Sequence, residues 1–129
     1  MSSAGVVDFL ADQDARWHPW MRLWTSKAKT ALVDTTGYGA QLVVVRSGFH
    51  AEPVVMIDET TGIVITCTVD GDTGDVTEST IEWEVDAPTM DLLLNPLFNF
   101  DLYVLPEQSL LLKQRLLTGR VLVRETVDA

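Results

Sequence analysis

The stretch Gly62–Val85, GIVITCTVDGDTGDVTESTIEWEV, constrains the fold of this chain more than any other. Ile63, Ile65, Cys67 and Val69 alternate with Val64, Thr66 and Thr68. After a break, Ile81, Trp83 and Val85 alternate with Thr80, Glu82 and Glu84. Side chains in a strand point to opposite faces with period two, so each set lines one face of a sheet. The second strand is therefore half-buried, apolar on one side and charged on the other. Asp70-Gly-Asp-Thr-Gly-Asp75 supplies the turn between them. The unit is a β-hairpin. Ile81, Trp83 and Val85 are expected to anchor the core, with Glu82 and Glu84 on a solvated or partner-facing side.

The rest of the chain follows the same logic. Arg16–Thr25, RWHPWMRLWT, holds Trp17, Trp20 and Trp24, three of the four tryptophans. Its end alternates as a strand, and Pro19 places its start at an edge or a bend. The tryptophans have two readings. They cover the end of a core, or they form a contact surface, since Trp is favoured in interface hot spots. Tyr38–Arg46 and Val54–Ile57 read as strands, with turn chemistry at Asp34–Gly37 and Asp58–Thr61. Pro88 and a capping Asp frame one to two helical turns after Val85, closed by Asn95-Pro96. Leu97–Leu105 alternates again: Phe98, Phe100, Leu102 and Val104 against Asn99, Asp101 and Tyr103. Leu110–Leu117 and Gly119–Arg124 complete the strands, with Gly119 expected at a bulge or kink.

About seven short strands, one short helix and no βαβ rhythm predict an all-β, two-layer antiparallel sandwich over residues 16–129. Met1–Ala15 stands apart. Val6, Val7, Leu10 and Ala11 lie at helical spacing, which suits a short amphipathic helix or an arm that orders on contact with a neighbour.

The formal charge of −10 argues against nucleic acid and anionic membranes as partners, because both recruit positive surfaces. No Lys or Arg occurs between Arg46 and Lys113, while Lys113, Arg115, Arg120 and Arg124 gather near the end. This is either a solvated surface or an acidic face that meets a basic face between subunits. Cys67 is expected as a small buried hydrophobe. The opening MSSAGVVDFLADQD lacks the basic and long apolar regions of a secretory leader, so a cytosolic protein is expected, unless it leaves within a larger particle.

Templates for chemistry fit poorly. Asp70–Asp75 departs from a calcium loop because Gly74 and Asp75 occupy its fifth and sixth positions. It reads as a solvated turn, with weak cation binding as the alternative. His18 and His50, with one cysteine, make no zinc set. No Ser or Cys sits in a nucleophile elbow. Glu82 and Glu84 share one exposed face, whereas catalytic carboxylate pairs need unlike environments. The expectation is no enzyme, no cofactor and no metal.

Asp34-Thr-Thr-Gly-Tyr38 followed by AQLVVVR resembles the opening of the small immunoglobulin-like β-sandwich domains of tailed-phage tail and baseplate proteins, of the baseplate upper protein or long-tail-fibre type. Ile57–Ile65, Glu82–Leu94, Phe100-Asp-Leu102 and the closing Leu116–Val123 resemble the later segments of that family in order and spacing. Thr35 stands where the family carries Leu, and Phe100 where it carries Tyr. The resemblance implies a non-enzymatic virion or prophage structural protein, made in the host cytoplasm and assembled in the tail, baseplate or neck. Its partners would be other phage structural proteins or further copies of itself. Trp17, Trp20 and Trp24 are the first interface candidates, and Arg115, Arg120 and Arg124 the second. A carbohydrate or cell-surface binding module of the tail tip is the alternative.

Overall fold

The computed structural model describes residues 5–12, 15–25, 31–46, 53–91, 93 and 97–124. Within them lie nine strands, one short α-helix and two 3₁₀ turns. The Gly62–Val85 hairpin forms as expected. Strand β6 (Ile63–Val69) pairs antiparallel with β7 (Val76–Trp83), setting Ile63 opposite Trp83 and Ile65 opposite Ile81. The edge strand β3 (Trp20–Arg22) joins the other side of β7, giving the order β3-β7-β6. Period two then decides the faces: Ile63, Ile81, Trp83 and the neighbouring Val85 are buried, while Val64 and Glu78 are exposed.

A second sheet is built on β4 (Gly39–Arg46), which pairs antiparallel with β5 (Val55–Asp58) and with β8 (Leu97–Leu105). Strand β8 pairs in turn with β9 (Gln114–Arg124). Leu42, Phe98, Phe100 and Leu102 line its inner face and share one hydrophobic core with Ile63, Ile81 and Trp83. The helix α1 (Ala87–Asp91) begins at Asp86, whose carboxylate accepts from the Thr89 N–H at 2.9 Å, and it buries Met90 in that core.

The N-terminal segment corrects the first expectation. Gly5–Val6 (β1) and Phe9–Asp12 (β2) are strands, not a helix, and both lie parallel to β9 along its outer edge. The larger sheet is therefore mixed rather than antiparallel throughout, and the described strands number nine instead of about seven. The physical reason is Phe9. Its ring meets Trp17 at 5.5 Å, Trp83 at 5.8 Å and Phe100 at 5.4 Å, so the segment contributes to the shared aromatic centre. The Val7 N–H donates to the Thr118 carbonyl at 3.0 Å, and the Arg120 N–H to the Asp8 carboxylate at 3.1 Å.

Gly119 serves this same contact. A Cβ there would stand 1.8 Å from the Val7 carbonyl oxygen, so its role is close approach of two backbones rather than a kink. The irregularity in the β8–β9 pair falls elsewhere, between Leu102 and Tyr103. Two further expectations change. Leu110–Leu112 is a 3₁₀ turn, not strand, because Ser109 Oγ accepts the Leu111 N–H at 3.3 Å and starts a turn there. Cys67 is half-buried, its thiol 3.6 Å from the Asp34 carboxylate. The expected helix stop at Asn95-Pro96, and His50, lie outside the described residues.

Candidate interaction surface

The three clustered tryptophans separate. Trp17 is 6% exposed and belongs to the core, where its ring meets Trp83 at 5.9 Å and Phe100 at 6.0 Å. Its assignment to a contact surface gives way to packing. Trp24 is half-buried and bridges to Leu32. Trp20 is 62% exposed, on the outer face of the edge strand β3. The Arg22 guanidinium lies 5.8 Å from its ring centre, a cation–π spacing. Together with Leu32, Thr77, Glu78, Thr80 and Glu82 these two side chains line an open groove of about 500 Å³. The groove offers an aromatic face, hydroxyls, two carboxylates and one guanidinium.

Glu82 and Glu84 are answered from within the chain. The Glu82 carboxylate is 3.0 Å from His18 Nε2, and that of Glu84 is 3.3 Å from Arg16 Nη1. The segment before β3 thus lies across the charged face of β7.

The basic cluster on β9 is likewise engaged internally. Arg115 reaches Asp101 at 3.5 Å, Arg120 reaches Asp8 at 3.1 Å and Arg124 reaches Asp12 at 2.9 Å. Hydrogen bonds from the Arg120 side chain and backbone hold the Asp8 carboxyl below its ordinary range, and Asp8 raises Arg120 in return. The charge asymmetry of the sequence is met here within the chain, by Asp8 and Asp12 of the N-terminal segment and by Asp101 of β8. These pairs are exposed, so they orient β2 on β9 more than they stabilise it.

Three turns repeat one device. The Asp34 carboxylate accepts from the Thr36 N–H at 3.0 Å, Asp58 from the Thr60 N–H at 2.8 Å, and Asp70 from the Asp72 N–H at 2.8 Å. The threonine hydroxyls add to the first two, which lowers the pKa of Asp34 and Asp58. Carboxylates used this way are turn-formers. Among the described residues no group of three or more His, Cys, Asp or Glu is placed to hold a metal ion. Among them also, no helix is long and apolar enough to cross a membrane.

One surface feature escaped the sequence reading. Leu110, Leu111 and Leu112 stand out on the connection between β8 and β9, with Leu111 96% exposed. Ahead of them Glu107 and Gln108 both take φ 55°, the left-handed region that L residues avoid. Three leucines in a row have no period, so only the strained turn reveals that they face solvent. At the opposite end of the hairpin Leu10 and Leu122 are exposed as well. No protein-family model matches the chain, and no curated protein is significantly similar to it.

Proposed function

We propose that this chain is a non-enzymatic structural protein of a tailed-phage or prophage virion, a tail, baseplate or neck component that works by assembling with other proteins. The observation that carries the reading is the placement of its exposed apolar side chains. Trp20 sits on an edge strand and Leu110–Leu112 on a turn, all four outside the core. Exposed aromatic and aliphatic side chains of this kind are the usual material of protein contacts.

Strand order supports the immunoglobulin-like part of the reading. In a variable-type immunoglobulin sandwich one sheet runs G-F-C-C′ and the other B-E-D. Here the corresponding runs are β9-β8-β4-β5 and β3-β7-β6. Asp34–Tyr38 leads into β4, and Phe100-Asp-Leu102 lies in β8. Among the described residues β3, β5 and β6 are edge strands, whose backbone groups are able to pair with a neighbour.

The test is retention of the purified chain by tail and baseplate proteins encoded beside it. Binding to at least one of them is expected. A monodisperse monomer at high concentration with no affinity for any of them overturns the reading.

The Trp20 groove favours a second reading, a carbohydrate-binding module. An exposed indole beside Glu78, Glu82 and two threonine hydroxyls suits the apolar face and hydroxyls of a sugar ring. Glycan-array binding that disappears in Trp20→Ala would select this reading over the first.

A further inference from the structure

The smaller sheet ends on a strand that carries none of the usual guards of a sheet edge. Its order is β3-β7-β6, so β6 has β7 on one side and, among the described residues, no strand on the other. Hydrogen bonding on β7 fixes which way the groups of β6 point. The Trp83 N–H donates to the Pro19 carbonyl at 3.2 Å, and the Ser79 carbonyl accepts the Leu23 N–H at 3.0 Å. The odd-numbered residues of β7 therefore bond toward β3. The even-numbered ones bond toward β6, as the neighbouring Glu84 N–H does to the Gly62 carbonyl at 2.9 Å. Their partners by register are Val64, Thr66 and Thr68. That leaves the N–H and C=O groups of Ile63, Ile65 and Cys67 pointing away from β7, toward the open edge.

Natural edge strands are guarded by shortness, charge, proline or a covering segment. The other edges of this molecule have such guards. Strand β3 is three residues long, carries Arg22 and follows Pro19. Strand β5 is four residues long and ends in Asp58. The outer edge of β9 is covered by β1 and β2. Strand β6 is seven residues long and reads IVITCTV, with no charge, proline or glycine. Its one irregularity falls between Thr68 and Val69 and leaves Ile63–Cys67 in regular pairing geometry.

We infer that β6 pairs antiparallel with β6 of a second copy, across a twofold axis at Thr66, and joins the two smaller sheets into one. This rests on the assembly reading above and names the partner and the edge within it. Three properties select a second copy. In this register Ile65 of each copy lies opposite Cys67 of the other, and the outward groups of each such pair exchange both of their hydrogen bonds. On the solvent face every facing pair is β-branched: Thr66 meets its own counterpart, and Val64, 51% exposed, meets Thr68, the kind of pair that stabilises a sheet. No charge is set against its own image, because β6 carries none and Glu78 and Glu82 lie one strand back on β7. The strand is also held extended by β7, so it pairs without the ordering cost that a free peptide bears. The contact is isologous and closes at the dimer.

Sedimentation velocity over a wide concentration range tests the inference, at near-physiological salt to screen the acidic turns at the two ends of the strand. The wild-type chain is expected to pass from monomer to dimer and to stop there. Thr66→Lys and Thr66→Glu each place like charges directly opposite one another and weaken dimerisation about tenfold or more. Mixed in equal amounts, the two variants form a one-to-one dimer, since opposite charges now face. Far-ultraviolet circular dichroism checks their fold. A gentler variant keeps the test open if a charge disturbs it: Thr66→Cys in a Cys67→Ser background. Facing residues of a pair that is not hydrogen-bonded stand about 4.5 Å apart at Cα, which suits a disulfide. Mild oxidation should therefore link this variant into a dimer. Glu78→Cys in the same background, one strand back from the edge, should stay unlinked.

Charge variants that associate like the wild type overturn the inference, as do a mixture that stays monomeric and cysteine variants that link equally. A wild-type chain that remains monomeric yet is retained by tail or baseplate proteins also overturns it, while leaving the structural reading in place. A chain that binds neither itself nor those proteins removes both.

Discussion

The two hairpins β6–β7 and β8–β9 are alike along their strands and opposite at their turns. Both alternate apolar and polar residues, and both give their inner faces to the same core. The β6–β7 turn is polar and unstrained. Asp70 accepts from Asp72 at 2.8 Å, Gly74 donates to the Asp70 carbonyl at 2.8 Å, and the one left-handed residue there is a glycine, with φ 76°. The β8–β9 connection places left-handed geometry on Glu107 and Gln108 and presents leucines to water. A turn that only reverses the chain settles on the residues that suit it best. A turn that departs from those rules marks a place where the sequence and the local geometry disagree.

The largest expected effect tests what the hairpins share. Trp83→Ala or Phe100→Ala removes a fully buried ring from the aromatic centre, at a cost of about 3–5 kcal/mol. Because both sheets face that centre, chemical denaturation should show one transition at lower denaturant. Separate transitions for the two hairpins would break the shared-core description.

The next effect sharpens the contrast between the turns. Gly74→Ala places a Cβ at φ 76° and should cost about 1–2 kcal/mol. Glu107→Gly, at φ 55°, should be neutral or stabilising by up to about 1 kcal/mol. Equal losses from both would show that the second turn carries no strain. Leu111→Asp should change stability by less than about 0.5 kcal/mol, the range for open surface positions, whereas Leu102→Ala on the inner face of β8 should cost about 2–5 kcal/mol.

The smallest effect is electrostatic. Asp34, Asp58 and Asp86 have their pKa values lowered in the folded chain, first by hydrogen bonds from Thr36, Thr60 and Thr89 respectively. A carboxylate depressed on folding contributes stability above its unfolded value, and that contribution is lost as the pH falls through the folded value. Melting temperature should therefore decline as the pH drops below about 4. Asp58→Asn should make that acid limb shallower. An unchanged limb would mean that the turn carboxylates are not coupled to folding.

The hairpin, β4 and β8 were legible in the sequence because each is half-buried and long enough for period two to be unambiguous. Trp83, Ile81 and Phe100 could be assigned to the core for that reason. Strands β1 and β2 were not legible. Val6, Val7, Leu10 and Ala11 fit a helix as well as a strand, and their partner, β9, lies more than a hundred residues away. No local pattern carries a parallel pairing of that kind. Gly119 was singled out, but its reason, the Val7 carbonyl above it, depends on the same distant pairing. The surface was less legible still. Trp17 and Trp20 are three residues apart, yet one is core and the other exposed, because the chain crosses from the shared core onto an edge strand between them. Arg120 and Arg124 of β9 looked available because their partners Asp8 and Asp12 sit at the far end of the chain.

Association with other protein is tested most directly by static light scattering of the wild-type chain, alone and with any structural proteins encoded by neighbouring genes. A mass above 14.3 kDa that rises with concentration, or a complex with at least one of those proteins, is expected. A constant 14.3 kDa at every concentration and in every mixture would contradict it.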